Sequence, residues 1–174
     1  AISDEVSLSL MSHIRKQTAK DLQAEGKPLI EHPAFAVIDL LLNEYKRPGK
    51  AAGGGFYEYP AGGQKHLWPE LKTRFEKADG QISPKDVRDR LLFVQAIETV
   101  RCVEEGVLTS TADANIGSIF GIGFAAWTGG ALQFINQYGV KDFVARAQYL
   151  AEQYGERFAP PALLLDKAAK GEMF

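Results

Sequence analysis

Few side chains in this sequence are of a type and spacing that could carry chemistry. His13, His32 and His66 fall in unrelated stretches, with no second ligand at the spacing a zinc or nucleophile site requires. His13 reads as an ordinary helix-surface histidine and His32 as a cap before Pro33. Cys102 lies within a helical pattern between Arg101 and Glu104-Glu105. Nothing at a helix interior lowers a thiol pKa, so it reads as structural. Glu98, Glu104, Glu105 and Asp113 could supply an acid/base pair, yet solvated helix charge accounts for them. Glu98 and Arg101, three apart, are placed to pair on one helix face. The glycine clusters at 53–55 and 121–123 invite a phosphate reading. Neither follows a strand and opens a helix in the order a P-loop or dinucleotide fingerprint needs. They read as places where backbone turns with positive φ or comes close to another element. Phe120, Phe124, Trp127, Phe134 and Tyr138 read as core. Residue chemistry alone names no catalytic, cofactor-binding or metal-binding residue.

The elements around these residues are helical. Val6, Leu10, Ile14 and Leu22 recur at helical spacing behind Ser3, a cap with Asp4 and Glu5 in its first turn, up to Gly26-Lys27-Pro28. Pro33 opens an apolar helix through Phe35, Ile38 and Leu41 that stops at Lys46-Arg47-Pro48-Gly49. A short amphipathic helix is predicted over 68–75. Ser83-Pro84-Lys85-Asp86 is the clearest start: a cap, Pro at the first position and an acid at the third. That helix runs by Val87, Leu91, Ala96, Ile97 and Val100 to Gly106. A shorter helix follows Ser110 or Thr111, and others are predicted over about 130–138, 141–154 and from Pro161 to just before Gly171. Strand character is confined to Gly55-Phe56-Tyr57-Glu58-Tyr59. The fold class is all-α.

Composition narrows the classes further. The chain has 174 residues, 20 Lys+Arg against 22 Asp+Glu, and 45% hydrophobic residues. Such a length buries roughly 70% of its unfolded surface, enough for a core without disulfides or metal. One cysteine excludes an internal disulfide, and a pI of about 6.0 excludes the basic footprint of a nucleic-acid binder. The longest stretch free of charge, 114–140, holds six glycines and several amides, too polar for a membrane span. The N-terminus lacks the charged and apolar regions of a signal peptide, so the expected location is cytoplasmic. No initiator Met stands at position 1, which suggests a processed or truncated chain.

A weak repeat runs through the sequence. A helix, a Pro-led apolar helix and a cationic stop over 7–49 follow the same plan as residues 141–171. The later set is preceded by the Ser83 helix and the glycine-bracketed turn, and the earlier one by nothing. Duplicated helical domains need both halves to cover their faces. The expectation is therefore that the chain starts inside a domain.

Two segments carry a resemblance. Pro48-Gly49-Lys50-Ala51-Ala52-Gly53-Gly54-Gly55-Phe56-Tyr57-Glu58-Tyr59 resembles the end of the helical C-terminal domain of 3-hydroxyacyl-CoA dehydrogenases. Arg90-Leu91-Leu92-Phe93, Glu104-Glu105-Gly106-Val107, Ala112-Asp113, Gly121-Ile122-Gly123-Phe124 and Trp127-Thr128-Gly129-Gly130 resemble a second copy. Tandem copies look like the multifunctional enzymes of fatty-acid β-oxidation. The resemblance implies tandem helical domains with the first truncated: residues 1–59 its C-terminal half, 60–82 a connecting segment, and 83–174 the second domain.

The sequence departs from that pattern in places. Ala125 stands where the family usually has Pro. Asp89-Arg90 stands where the first copy carries an Asn-Arg pair whose Asn assists catalysis. The His–Glu pair, the NAD fingerprint and the hydratase carboxylates of such enzymes lie upstream, so no catalytic residue is carried over. The resemblance implies NAD in the parent enzyme but no cofactor in this chain. Its implied partners are an upstream dinucleotide-binding domain, the acyl-CoA substrate, and a second copy or a thiolase subunit. The rival expectations are a stand-alone helical interaction or dimerisation module without catalysis, and an acyl-ligand binder near Trp127. A truncated domain would leave Val6, Leu10 and Ile14 as an exposed apolar face.

Overall fold

Ser83 does what its position implies: its Oγ accepts the Asp86 N–H at 3.1 Å, and Pro84 begins the longest helix. Removing this cap in Ser83→Ala leaves a first-turn donor unpaired. We expect it to cost the second half of the chain about 1 kcal/mol, read as a lower urea midpoint. The computed structural model describes residues 1–29, 32–76 and 80–174. Among these, nine α-helices run in the order α1 (Ile2–Val6), α2 (Leu8–Ala24), α3 (Ala34–Asn43), α4 (Glu70–Phe75), α5 (Pro84–Glu104), α6 (Thr111–Ile122), α7 (Ala131–Tyr138), α8 (Val140–Tyr154) and α9 (Ala162–Lys170). Strands β1 (Tyr57–Glu58) and β2 (His66–Leu67) lie between α3 and α4. The all-α expectation holds. No helix among the described residues is long and apolar enough to cross a membrane.

The chain divides into two units, Ala1–Asp79 and Gly80–Phe174. In the first, Leu8, Ile38, Leu41 and Trp68 form the core. Residues 66–76 are part of its architecture. β2 pairs antiparallel with β1, Tyr57 opposite Leu67, and the Trp68 N–H donates to the Phe56 C=O at 2.9 Å. That second strand has no alternating pattern of its own, and the backbone pairing alone defines it. The helix expected from Ser3 through Leu22 is instead two helices. Ser7 sits at φ 76° and ψ 139° between them, and its Oγ, not that of Ser3, caps α2 by accepting the Leu10 N–H at 3.1 Å. The break has a tertiary cause: the Leu8 N–H donates to the Pro48 C=O at 2.8 Å, and Gly49 is pressed against the Asp4 carbonyl. A positive φ at a non-glycine residue is held only where the surroundings demand it.

The second unit is built on Phe93, which lies fully buried on α5 and stacks on Phe143 of α8 with centroids 4.0 Å apart. Phe134 and Tyr138 of α7 meet its ring edge-on. Ala96, Ile97 and Val100 continue the α5 stripe, while α8 brings Ala147 and Leu150 and α9 brings Leu164. Val87 and Leu91, counted in the helix pattern, are exposed instead. The stripe runs through Phe93 because the aromatic cluster centres there.

Candidate functional site

In the first unit the glycine run 53–55 is wrapped around two charged side chains. Asp4, 1% exposed, accepts the Phe56 N–H at 2.9 Å, the Tyr57 N–H at 2.8 Å and the Tyr59 hydroxyl at 3.0 Å. Arg47 donates from Nε to the Gly55 carbonyl at 2.8 Å and from Nη2 to the Tyr57 carbonyl at 3.0 Å. It also pairs with Glu58 at 2.9 Å and lies 4.5 Å above the Trp68 ring. A Cβ on Gly55 would stand 2.5 Å from the Asp4 carboxyl, and one on Gly54 would stand 2.8 Å from the Arg47 guanidinium. The glycines are therefore required by close approach, as read from the sequence. The N–H groups of Phe56 and Tyr57 are already spent on Asp4, so the loop is no phosphate cradle.

Burial and the Asp4 hydrogen bond push the Tyr59 phenol up to about 12. A phenol pKa raised on folding contributes stability that is complete below the ordinary value of about 10. That contribution is lost as the pH rises through the folded value. We expect the first unit to lose urea resistance between those two pH values, and Tyr59→Phe to abolish that loss. Ultraviolet absorbance of the ionising phenol checks the titration directly.

In the second unit, α5 and α8 are joined by an ion cluster. Arg146 bonds Asp89 from Nε at 2.8 Å and Asp86 from Nη2. The Tyr154 hydroxyl donates to Asp86 at 2.7 Å, and Lys85 to Asp89 at 2.9 Å. The Tyr154 and Arg146 hydrogen bonds hold the Asp86 carboxyl below the usual aspartate range. Asp86 is thus held as a paired anion, which suits a structural clamp and not proton transfer. Asp89 of the Asp89-Arg90 pair is committed to this clamp, and Arg90 stacks 4.5 Å from the Tyr154 ring.

The Trp127-Thr128-Gly129-Gly130 turn closes α6 onto α7. Asn115 Oδ1 accepts the Leu132 and Gln133 N–H groups at 3.0 Å each, and Ser118 Oγ accepts that of Ala131 at 3.0 Å. A Cβ on Gly130 would fall 2.5 Å from Asn115 Cα, and its φ of 113° also favours glycine. The donors at the start of α7 are thereby filled from within the fold.

The other sequence candidates are dispersed. His32 Nδ1 accepts the Ala34 N–H at 3.2 Å, the expected cap, and His66 is exposed on β2. His13 borders a polar cleft with Ser9, Ser12 and Lys16. Glu98 pairs with Arg101 at 3.0 Å, as its spacing implied. Glu104 accepts the Leu163 N–H at 2.6 Å, and Asp113 bonds Ser110, which caps α6. Cys102 is half-buried beside an apolar groove of about 430 Å³ between α5 and α6, lined also by Val94, Leu108, Ala114 and Gly117. The aromatic set divides. Phe124, Phe134 and Tyr138 join the core, whereas Phe120 and Trp127 are 85% and 77% exposed, against the expectation of core. Helix periodicity does not show which side of α6 meets α7. Among the described residues, no group of His, Cys, Asp and Glu could hold a metal ion. Sequence reading gave no such holding role to Asp4, Arg47, Arg146, Tyr154 or Asn115; the partners of Asp4, Arg146 and Tyr154 lie more than fifty positions away.

These features define a helical fold in which Asp4, Arg47, Arg146 and Asn115 hold its own loops and helices together. No family model matches the chain. Over 141 residues, 79% of its length, it is 38% identical to the fatty acid oxidation complex subunit alpha of Vibrio vulnificus (strain CMCP6). It is 36% identical, over the same share, to the subunit of that name from Vibrio parahaemolyticus serotype O3:K6 (strain RIMD 2210633). The chain is a homologue of fatty acid oxidation complex alpha subunits, and the resemblance read from its sequence is borne out at that level. It spans about a fifth of the length of these curated relatives, 19% and 20%.

Proposed function

We propose that this chain is the helical C-terminal portion of a 3-hydroxyacyl-CoA dehydrogenase within a multifunctional fatty-acid oxidation enzyme. The parent enzyme oxidises (3S)-3-hydroxyacyl-CoA with NAD. The helical portion packs on the dinucleotide-binding domain, closes the acyl-CoA cleft and supplies interdomain or subunit contacts, including those to a second copy or a thiolase subunit. The observation that carries this reading is the match to alpha subunits over 79% of the chain but a fifth of their length. The interior commitment of Asp4, Arg47, Asp86, Asp89 and Arg146 supports a scaffolding role.

NAD chemistry, hydride transfer at a positioned nicotinamide, has no matching residues in this chain. The sequence holds no Gly-x-Gly-x-x-Gly after a strand, and the described residues offer only a two-stranded antiparallel ribbon. No step is therefore assigned to these side chains. Purified alone, the 174 residues are expected not to oxidise NADH with acetoacetyl-CoA, whereas a polypeptide encompassing them is expected to do so. Activity in the isolated chain would overturn the scaffold role. An inactive whole polypeptide would overturn the dehydrogenase reading and favour a helical interaction module.

A further inference from the structure

Along α2, Ser9, Ser12, His13 and Lys16 recur at i, i+3, i+4 and i+7, so one side of the helix carries four polar side chains in a row. All four can donate a hydrogen bond and none is an acid. In the folded first unit this row stands opposite the C-terminal end of α3, and with Asp39, Leu42 and Asn43 it lines a cleft of about 370 Å³. At 3.6 residues per turn the row lies about 150° round the helix from Ile14. The apolar face formed by Val6, Leu10 and Ile14 is exposed as expected, and the cleft is a separate surface.

Ser12 indicates that the cleft receives something. Only 8% of the residue is exposed, yet its hydroxyl bonds to no described residue. Every fully enclosed polar side-chain atom among the described residues has a partner, so the Ser12 Oγ opens into the cleft and must find its partner there. A hydroxyl buried to this degree is ordinarily hydrogen-bonded, because leaving it unpaired away from bulk water costs free energy. The charge of the walls decides between a water molecule and a ligand oxygen. Among the described lining residues Asp39 is the only acid, and Arg15 pairs with it at 2.9 Å. Lys16 makes no ion pair with a described residue, so its ammonium charge borders the cleft uncompensated. The first turns of α2 and the last of α3 meet here with opposing dipoles, which leaves the sign to the side chains. The cleft is therefore positive.

An ammonium, two hydroxyls, an imidazole and the Asn43 amide around one space suit an anion with several acceptor oxygens. A carboxylate offers two oxygens in one plane, whereas the three terminal oxygens of a phosphate ester point to donors on both helices. An inorganic phosphate takes the room of roughly three waters of about 30 Å³ each, so the cleft also admits an organic group. Leu42 is the one apolar residue on its walls, which makes that group small and polar. We infer that the cleft between α2 and α3 is a binding site for a phosphomonoester, with Lys16 and the Ser12 hydroxyl holding the phosphate oxygens. This goes beyond the dehydrogenase reading and does not depend on it.

Isothermal titration of the 174-residue chain with glycerol 3-phosphate tests it. Saturable binding in the millimolar range or tighter is expected, with none for sodium chloride at the same ionic strength. Lys16→Gln, at an exposed position, is expected to weaken binding at least tenfold, and Ser12→Ala at least threefold. Because the Ser12 hydroxyl has no partner within the fold, Ser12→Ala should leave the urea midpoint of the first unit unchanged or raised. A lowered midpoint would show that this hydroxyl serves the fold, and overturns the inference. Flotation with phosphatidylcholine vesicles carrying phosphatidic acid separates the two sources of a phosphomonoester. Binding in solution assigns the site to a soluble ester, and Lys16-dependent binding to the vesicles alone assigns it to a lipid headgroup. No binding to either, or binding indifferent to Lys16→Gln, overturns the inference.

Discussion

Asp4→Ala is expected to unfold the first unit at temperatures and urea concentrations that leave the second intact. The Asp4 carboxylate accepts two backbone N–H groups and a phenol in a nearly solvent-free position. Alanine removes all three acceptor contacts and leaves the Phe56 and Tyr57 donors unpaired against Gly55, where little water can enter. Each buried donor left unpaired costs about 1–3 kcal/mol, so the loss is about 4 kcal/mol. A unit of this size is worth roughly 4–12 kcal/mol in all. The substitution therefore takes much of its stability. Amide exchange and the fluorescence of buried Trp68 report the first unit separately. Asp4→Asn keeps one acceptor oxygen and aims its amide at the other donor, so an intermediate loss is expected. An unchanged midpoint for Asp4→Ala would show that the loop is held elsewhere.

Arg146→Met is the corresponding lesion in the second unit. It removes the cation between Asp86 and Asp89 while leaving both carboxylates in their partly enclosed positions, with Asp89 only 6% exposed. Breaking an ion pair from one side costs about 3–5 kcal/mol, because the remaining charge is left without compensation. Replacing the whole cluster with apolar groups is much less costly. The triple variant Arg146→Met, Asp86→Leu, Asp89→Leu should therefore recover most of the loss, and failure to recover would place the damage in packing. Acid acts on the same cluster. The depressed Asp86 pKa contributes stability that is complete above the ordinary aspartate value of about 3.9 and is lost as the pH falls through the lower folded value. The urea midpoint of the second unit should fall across that window, and Asp86→Asn should flatten the dependence.

The contrast between these two clamps and the rest of the fold shows where information resides in this chain. Ser83-Pro84 starting α5 and Ser110 starting α6 are local rules of capping, legible residue by residue, and the glycines at 54 and 55 were legible as sites of close approach, though not what approaches them. The family resemblance rests on the same turn segments, since backbone conformations with few permitted residues leave recognisable motifs. The position of Ser7 as a break was not legible. Its φ of 76° follows from Pro48 and Gly49, more than forty positions away, and local periodicity runs straight through it. Asp4, Arg47 and Arg146 look like ordinary surface charges in a helical pattern, and only the folded chain brings their partners to them. The exposure of Phe120 and Trp127 was decided the same way, because a helix pattern counts apolar residues without saying which neighbour is there to cover them. What the amino-acid order determined by itself was helix, cap, turn and kinship. Which charges became clamps, and which apolar faces stayed open, depended on contacts between residues far apart in sequence.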